Sequence, residues 1–323
     1  MKAIVYRKNG PLEVLTCEEI EKPTPNEKEV LIKVHAAAVN PLDYHMMKGG
    51  PLIFRLLFGG PKLKHPGVDV AGVVEAIGPG VTLVKVGDSV FGTGRGAFAE
   101  YATAPESKLA PKPENVSFED AAACPVAALT ALQGLRKHGK IQPGQNALIN
   151  GASGGVGTFA VQLAKIFGAR VTAVCSARNA ELVRSLGADR VIDYAQEDFA
   201  TGTARYDLIL DLAGNHPFSV CKRILTPRGI HVGAGVLAGH KSLFAMFGGL
   251  IGAMLRSRLS SQKFVVFMAK VNREDLASIG QLVADGKLKP VIDKRYSLAE
   301  VPEAMRYQGT WRARGKLVID LEA

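Results

Sequence analysis

The sequence has few cysteines, and none of them form a closely spaced pair. The four are Cys17, Cys124, Cys175 and Cys221, in a chain of 323 residues. Structural zinc sites and redox centres usually need two cysteines a few residues apart, so the spacing argues against both. It also argues against a disulfide framework, and a reducing compartment fits best. We therefore expect a cytoplasmic protein.

Long hydrophobic runs are also missing. The longest apolar segment, residues 243–255, is too short to span a bilayer and contains three glycines. The N-terminus has only four apolar residues after Lys2, too few for the core of a signal peptide, so we expect a first strand there. Two apolar segments, 51–60 and 240–261, are candidate lids over a hydrophobic substrate. Helix packing or a dimer interface is the favoured alternative, and contact with a membrane surface is a third.

Acidic residues do not balance the basic ones, and the formal net charge is +10. A basic protein can bind nucleic acid, an anionic membrane or a phosphorylated ligand. The basic residues are dispersed and no zinc-finger or RNA-binding signature occurs, so we expect no nucleic-acid partner. A solvated basic surface that steers an anionic cofactor fits the charge.

The chain is long enough for two domains, and its pattern changes near residue 126. Before that point, short strands alternate with glycine and proline turns, which predicts a partly open barrel. Residues 29–39 alternate like a strand with one buried face. After residue 126, strands alternate with helices, which predicts an α/β fold with a parallel sheet wound on both faces. The pattern alone does not assign the tail, residues 288–321, to either domain.

A glycine-rich turn separates a predicted strand from a predicted helix that ends at Gly168. In a dinucleotide-binding fold, Gly154 would let a pyrophosphate approach the backbone, and Gly157 would let the helix pack closely on the strand. The glycine fingerprint of dinucleotide-binding folds is G-x-G-x-x-G, and Ala152 stands where it has its first glycine. An ordinary structural turn is the alternative, but the strand–turn–helix context favours a cofactor site. The predicted phosphate-binding residues are Ser153, Gly154, Gly155, Val156 and Gly157.

The second strand of this fold indicates which nucleotide binds. NAD sites usually place an acidic residue at its end, but here the strand ends in VCSARN, with no acid. Ser176 and Arg178 suit a 2′-phosphate, which predicts NADPH. A hydrogen bond to a charged group contributes about 1.5–3 kcal/mol, or about tenfold to a hundredfold in affinity. A solvated surface arginine is the alternative for Arg178. Tyr194, after the third strand, could line the same pocket or simply pack.

Seven segments spread over nearly the whole chain carry a family resemblance: 39–49, 66–81, 86–92, 121–135, 150–165, 176–179 and 315–319. Together they resemble the zinc-independent medium-chain dehydrogenases/reductases of the quinone oxidoreductase type, in particular the chloroplast-envelope homologues. The resemblance implies a GroES-like catalytic domain over 1–125, completed by 271–323, and a Rossmann NADPH-binding domain over 126–270. It also implies dimers or tetramers through a sheet edge at 263–270, with a monomer's edge strand as the alternative.

The resemblance also allows the metal-binding positions of zinc-dependent relatives to be compared with this chain. Zinc-dependent relatives carry Gly-His-Glu where this chain has Gly67, Val68 and Asp69, and valine cannot ligate a metal. The close cysteine group of their structural zinc is missing too. We therefore expect no metal, either catalytic or structural, and Cys124 should be a buried small side chain.

A site without zinc is poorly suited to simple alcohol oxidation, because zinc polarises the carbonyl and stabilises the alkoxide. A quinone or an α,β-unsaturated carbonyl needs positioning and a hydrogen-bond donor more than a Lewis acid. The hypothesis is hydride transfer from NADPH to a small hydrophobic acceptor of this kind. A zinc-free alcohol or aldehyde oxidoreductase and a non-catalytic NADPH-binding redox sensor are the alternatives.

By the resemblance, Asn40 lies near the nicotinamide and would orient the coenzyme or donate to the substrate oxygen. A turn-forming role before Pro41 is the alternative. Asp43 should brace this segment rather than react. Tyr44 and His45 are the candidate proton donors, although structural roles are favoured for both and water could supply the proton.

Three further residues lie in segments that match the family. Thr130 and Gly233 match positions beside the nicotinamide half of the coenzyme, with core packing as the alternative. Lys316 could approach the active site, but an exposed lysine on a surface strand is the favoured interpretation.

Overall fold

The computed structural model describes residues 1–48, 64–234 and 261–322. The chain divides into two compact units. The first comprises Met1–Leu129 and Val271–Ala323, and the second comprises Thr130–Lys270. The apolar segment at 51–60, and all of the one at 240–261 except its last residue, lie outside the described residues.

The strands and helices have the following bounds. The strands are β1 (Lys2–Val5), β2 (Thr16–Glu19), β3 (Glu29–Val39), β4 (Asp69–Ile77), β5 (Ser89–Thr93), β6 (Tyr101–Pro105), β7 (Leu109–Pro111), β8 (Asn146–Asn150), β9 (Arg170–Cys175), β10 (Arg190–Asp193), β11 (Tyr206–Asp211), β12 (Leu225–Gly233), β13 (Lys263–Val266), β14 (Ile292–Ser297) and β15 (Lys316–Asp320). The helices are α1 (Pro41–Lys48), α2 (Phe118–Ala123), α3 (Pro125–Gln133), α4 (Gly155–Ile166), α5 (Ala180–Ser185), α6 (Phe218–Cys221), α7 (Arg273–Ala284) and α8 (Val301–Gln308). Among the described residues, no helix is both long and apolar enough to cross a bilayer.

The first unit is organised around β3. One edge of β3 pairs antiparallel with β4, while the other edge pairs first with β6 and then with β15. The full order is β14-β15-β3-β4-β5-β7, with β6 also on β3, and β1 and β2 form a separate two-stranded sheet. Strands from both ends of the chain therefore build this unit, and the tail belongs to it.

Burial of β3 differs from the expectation of one buried face. Only Lys33 is exposed and His35 is half-buried, while the remaining residues of the strand are buried. The expectation was wrong because α2 packs against β3, β4 and β15, so both faces of the strand are covered. The small side chains of Ala36, Ala37 and Ala38 in its second half leave room for this close packing.

The second unit is a six-stranded parallel sheet in the order β10-β9-β8-β11-β12-β13. Every neighbouring pair of strands is parallel. Numbered within the unit, the order is 3-2-1-4-5-6, which is that of the dinucleotide-binding Rossmann fold. The predicted α/β class is confirmed. β13 lies at one edge, and its pairing with a second copy stays a prediction.

Helix α4 follows β8 directly, as the glycine-rich turn predicted. Its residues from Gly157 to Ala164 are buried, so the helix lies deep against the sheet. It ends where expected, because Gly168 has φ +77°, a conformation that glycine adopts without strain and that stops a helix.

Candidate functional site

The parallel strands of the second unit end at a common edge. Asn150, the last residue of β8, pairs in register with Val174 on one side and Asp211 on the other. Asp211 in turn pairs with Gly233. The loops that follow these strands therefore leave the sheet together. In doubly wound sheets, ligands bind at this carboxyl edge.

The turn after β8 takes its sharp bend from a glycine that the fingerprint does not include. Gly151 has φ +84°, which a residue with a side chain rarely adopts. The amides of Gly151 and Ala152 donate to the carbonyl of Val174 at 3.2 and 3.0 Å, which ties the turn to β9. Alanine at the fingerprint's first position therefore does not cost the turn its shape, because Gly151 supplies it one residue earlier.

Gly157 is required by the packing of the protein itself. A Cβ on Gly157 would lie 2.2 Å from the carbonyl oxygen of Gly151, a distance that no side chain tolerates. Glycine at this position is what lets α4 approach β8, as the fingerprint predicted.

Unlike Gly157, Gly154 is not required to be glycine by the backbone conformation or the packing of the folded chain. Its φ of −82° and ψ of 179° suit any residue. Among the described residues, a Cβ on Gly154 would have only the oxygen of Gly151 within 4 Å, at 3.7 Å. Ser153, Gly155 and Val156 are also partly exposed, and the N-cap residue of α4, Gly154, makes no side-chain capping bond. This open cradle at the positive end of a helix fits a pyrophosphate.

The loop after β9 is fastened to the glycine-rich turn. The amide nitrogen Nδ2 of Asn179 donates to Oγ of Ser153 at 2.8 Å, and Asn179 is buried. This bond holds the segment with Ser176 and the exposed Arg178 beside the turn. Asn179 was not among the predicted site residues, although it closes the SARN segment that carried the nucleotide prediction.

The remaining predicted cofactor residues, Tyr194, Gly233 and Thr130, lie on three different elements or loops. The amide of Tyr194 donates to the carbonyl of Cys175 at 3.2 Å, so its exposed ring follows β10 beside the end of β9. Gly233 ends β12 at the same edge of the sheet. Thr130 is a half-buried residue of α3. A role in binding stays a prediction for all three.

The first unit contains a buried cluster of polar side chains around Lys316. The ammonium Nζ of Lys316 donates to Asn40 Oδ1 at 2.7 Å, to Asp69 Oδ2 at 3.1 Å and to the carbonyl of Val39 at 3.2 Å. Only 3% of Lys316 is exposed. The expectation of a surface lysine was wrong, because β15 pairs with the end of β3 and the lysine side chain lies against Asp69.

The side-chain amide of Asn40 donates both of its hydrogens within this cluster. Its Nδ2 donates to Asp69 Oδ2 at 2.9 Å and to the carbonyl of Ala38 at 3.3 Å. Both amide hydrogens are therefore engaged, so in this arrangement Asn40 has none for a substrate oxygen. Asp43 Oδ2 accepts from the backbone amide of Asn40 at 2.8 Å, which confirms that Asp43 braces the segment.

Two buried carboxylates lie near the ammonium of Lys316, which bonds only Asp69 of the two. Burial, together with the charge of Asp69, raises the pKa of Asp43 to about 7. Burial also raises the pKa of Asp69, an effect that Lys316 opposes. Asp69 and Lys316 had not been assigned to a common site, because only the pairing of β3 with β4 and β15 brings these distant positions together.

Tyr44 and His45 are neighbours on α1 with separate surroundings. The ring of Tyr44 lies so close to Gly309 that a Cβ there would be 2.6 Å from it. The ring of His45 lies 5.7 Å from that of Trp311. Burial and the charge of Lys48 lower the pKa of His45, which disfavours the protonated form of its ring. A catalytic role for either residue stays a prediction.

Comparison with known proteins identifies the family. A family model described as an alcohol dehydrogenase GroES-like domain matches residues 26–114, and one described as a zinc-binding dehydrogenase matches residues 186–319. The chain is 36% identical over 317 residues to a chloroplastic quinone oxidoreductase of Triphysaria versicolor, covering 94% of this chain and 92% of that protein. It belongs to the quinone oxidoreductase type of the medium-chain dehydrogenases/reductases.

Two further relatives support this assignment. The chain is 35% identical over 334 residues to the chloroplastic NADPH-dependent alkenal/one oxidoreductase of Arabidopsis thaliana, covering 99% of this chain and 79% of that protein. The structure of the quinone oxidoreductase from Coxiella burnetii superposes with a TM-score of 0.88 at 32% identity, covering 99% of each chain. This quinone oxidoreductase-type protein is therefore an oxidoreductase with a nicotinamide coenzyme.

Two alanine substitutions should separate the two roles of glycine in the turn. Gly157→Ala should destabilise the protein by about 1–3 kcal/mol, because the new methyl group overpacks against Gly151. Gly154→Ala should leave stability within about 0.5 kcal/mol but weaken coenzyme binding about tenfold or more, because the methyl group keeps phosphate oxygens from the helix amides. Thermal melting and coenzyme titration measure both effects. A Gly154→Ala protein that binds normally would show that the cradle holds no phosphate.

Asp43→Asn should change how stability depends on pH. Asp43 has an ordinary pKa of 3.8 and a folded pKa of about 7, so between these values the folded state keeps a proton that the unfolded chain has lost. Its contribution to stability is therefore present at about pH 4 and is lost as the pH rises towards 7. The melting temperature of the wild type minus that of Asp43→Asn should fall across this range. A flat or rising difference would contradict the placement of this carboxyl.

Proposed function

We propose that this protein transfers a hydride from NADPH to a quinone or to the β-carbon of an α,β-unsaturated carbonyl compound, without a catalytic metal. The observation that carries the proposal is the open cradle at Gly154, joined through the bond between Asn179 and Ser153 to the loop that bears Arg178. The relatives named above, quinone and alkenal/one oxidoreductases, support the choice of acceptor.

The proposed preference for NADPH over NADH rests on the loop after β9. That strand ends at Cys175 and is followed by Ser176, Ala177 and Arg178, none of them acidic. An acid at this point would hydrogen-bond the free ribose hydroxyl of NAD and repel a phosphate. A hydroxyl and a guanidinium instead offer donors to a 2′-phosphate, and the guanidinium also offers opposite charge.

The acceptor class follows from the residues available for catalysis. When bound, the reduced nicotinamide supplies a hydride, which carries two electrons. A quinone or an enone takes it because the resulting negative charge spreads onto oxygen, and one proton from water or a side chain completes the product. The partly exposed Val68 stands where zinc-dependent relatives have a histidine, so no ligand is available there for a Lewis acid.

The buried cluster of the first unit would serve this reaction by holding Asn40 in one position. Asn40 accepts from Lys316 and donates to Asp69, so its backbone and amide are fixed at the start of α1. A fixed scaffold of this kind lowers the entropic cost of orienting reactants. Asn40 stays the predicted residue beside the coenzyme, and Tyr44 and His45 stay the candidate proton donors.

Arg178→Ala should weaken binding of NADPH about tenfold to a hundredfold and leave binding of NADH unchanged, because only NADPH carries the 2′-phosphate. Arg170→Ala is the matched control, since Arg170 is an exposed arginine at the opposite end of β9. Fluorescence titration with each coenzyme measures the effect. Equal losses for NADPH and NADH, or a similar loss in Arg170→Ala, would count against a 2′-phosphate contact.

A panel of acceptors tests the reaction itself. NADPH oxidation should be rapid with at least one quinone or 2-alkenal, and slow with saturated aldehydes, because only the conjugated acceptors delocalise the incoming charge. The reverse order would favour the alcohol or aldehyde oxidoreductase. Tight binding of NADPH without turnover on any acceptor would favour a redox sensor.

A further inference from the structure

Three side chains of metal-binding type meet in the interior of the second unit. Asp211, Cys221 and His231 each bring one donor atom, and these atoms lie within 4.8 Å of one another. They come from β11, α6 and β12, and their exposed fractions are 2%, 0% and 3%. A carboxylate, a thiolate and an imidazole are ligands that Zn²⁺ takes in proteins. Nothing in the proposed hydride transfer uses this cluster.

The carboxylate of Asp211 is already oriented by its neighbours. Its Oδ1 accepts from Asn150 Nδ2 at 2.8 Å, from the amide of Gly214 at 2.8 Å and from the amide of Ala213 at 3.2 Å. These bonds leave Oδ2 directed at Nε2 of His231, 3.4 Å away. Metal-ligating carboxylates are commonly held by hydrogen bonds of this kind to the oxygen that does not bind the metal.

The imidazole of His231 has an ion-pair contact with Asp211 but no hydrogen bond of good geometry among the described residues. Both of its ring nitrogens are buried, and neither makes a hydrogen bond within the described part of the chain. Its ring stacks on Phe264, with centroids 5.3 Å apart, and lies 5.8 Å from the ring of Phe218. The contact with Asp211 has the distance of an ion pair without the alignment of a hydrogen bond. A buried polar atom left in this way calls for an explanation, and an ion is one.

One donor–donor distance and the sum of the charges fit a dication, and the donor atoms of the other two pairs lie within 4.8 Å of each other. Zinc binds oxygen and nitrogen at about 2.0–2.2 Å and sulfur at about 2.3 Å, so tetrahedral donors lie about 3.3–3.8 Å apart. The 3.4 Å between Asp211 and His231 falls in that range. A dication with one carboxylate, one thiolate and a neutral imidazole has no net charge, which suits an apolar interior.

The structure assigns to Asp211, Cys221 and His231 a Zn²⁺ site with three protein ligands, which we propose as a new feature of this unit. Binding forms the bond from sulfur to zinc and releases the thiol proton of Cys221 to solvent. The site is separate from the catalytic zinc of zinc-dependent relatives, whose ligand position here is Val68 of the first unit.

The test uses the full-length protein without a polyhistidine tag. The wild type is equilibrated with Co²⁺ or Zn²⁺, freed of excess metal by gel filtration, and analysed by mass spectrometry for metal content. It should retain about one metal ion per chain, and the cobalt form should show the near-ultraviolet charge-transfer absorption of a thiolate bound to cobalt. Cys221→Ser should lose this absorption. The matched control, Cys175→Ser, should keep it, because Cys175 is buried in the same unit and lies outside the cluster.

If Cys221→Ser fails to fold, a competition between Zn²⁺ and Co²⁺ in the wild type tests the proposal instead. Added Zn²⁺ should raise its melting temperature and bleach the cobalt absorption, because both ions compete for one site. A wild type that keeps no metal would overturn the proposal, as would an absorption that persists in Cys221→Ser. Coenzyme binding and acceptor turnover are measured separately, so either proposal can fail without the other.

Discussion

The contact between Gly157 and the carbonyl of Gly151 is the constraint on which the second unit depends. Because no side chain separates them, α4 lies directly against β8 and its N-terminus meets the carboxyl edge of the sheet. That placement aims the helix amides at the open space beside Gly154. The bond from Asn179 to Ser153 then brings the loop with Arg178 to the same place. The proposed recognition of the coenzyme thus depends on one close approach of two backbone segments.

The arrangement of the first unit depends on the buried positive charge of Lys316 rather than on a close approach of two backbone segments. Lys316 lies near the end of the chain, yet its ammonium is buried between Asn40 and Asp69. Removing one partner of a buried pair costs about 3–5 kcal/mol, since it leaves an uncompensated charge. The cluster therefore ties the last strand of the chain to the start of α1. It also places Asp43 where burial and the charge of Asp69 hold its pKa near neutrality.

The proposed zinc site is independent of the position at which zinc-dependent relatives bind their catalytic metal. Val68 removes a ligand from the position that zinc-dependent relatives use. Asp211 and Cys221, by contrast, lie in the second unit, and Asp211 shares a hydrogen bond with Asn150 at the end of β8. An ion there would link β11, α6 and β12 and would take no part in the proposed hydride transfer.

Local patterns in the sequence determined the fold class, the strand–turn–helix of the coenzyme site and the end of α4 at Gly168, because periodicity and turn glycines act over a few residues. The family segments added Asn40 and the likeness in function. Only the tertiary structure decided that β3 is buried on both faces, that Lys316 is an interior residue, and that His231 meets Asp211. These features depend on the register of strands far apart in the chain, and no local pattern carries that register.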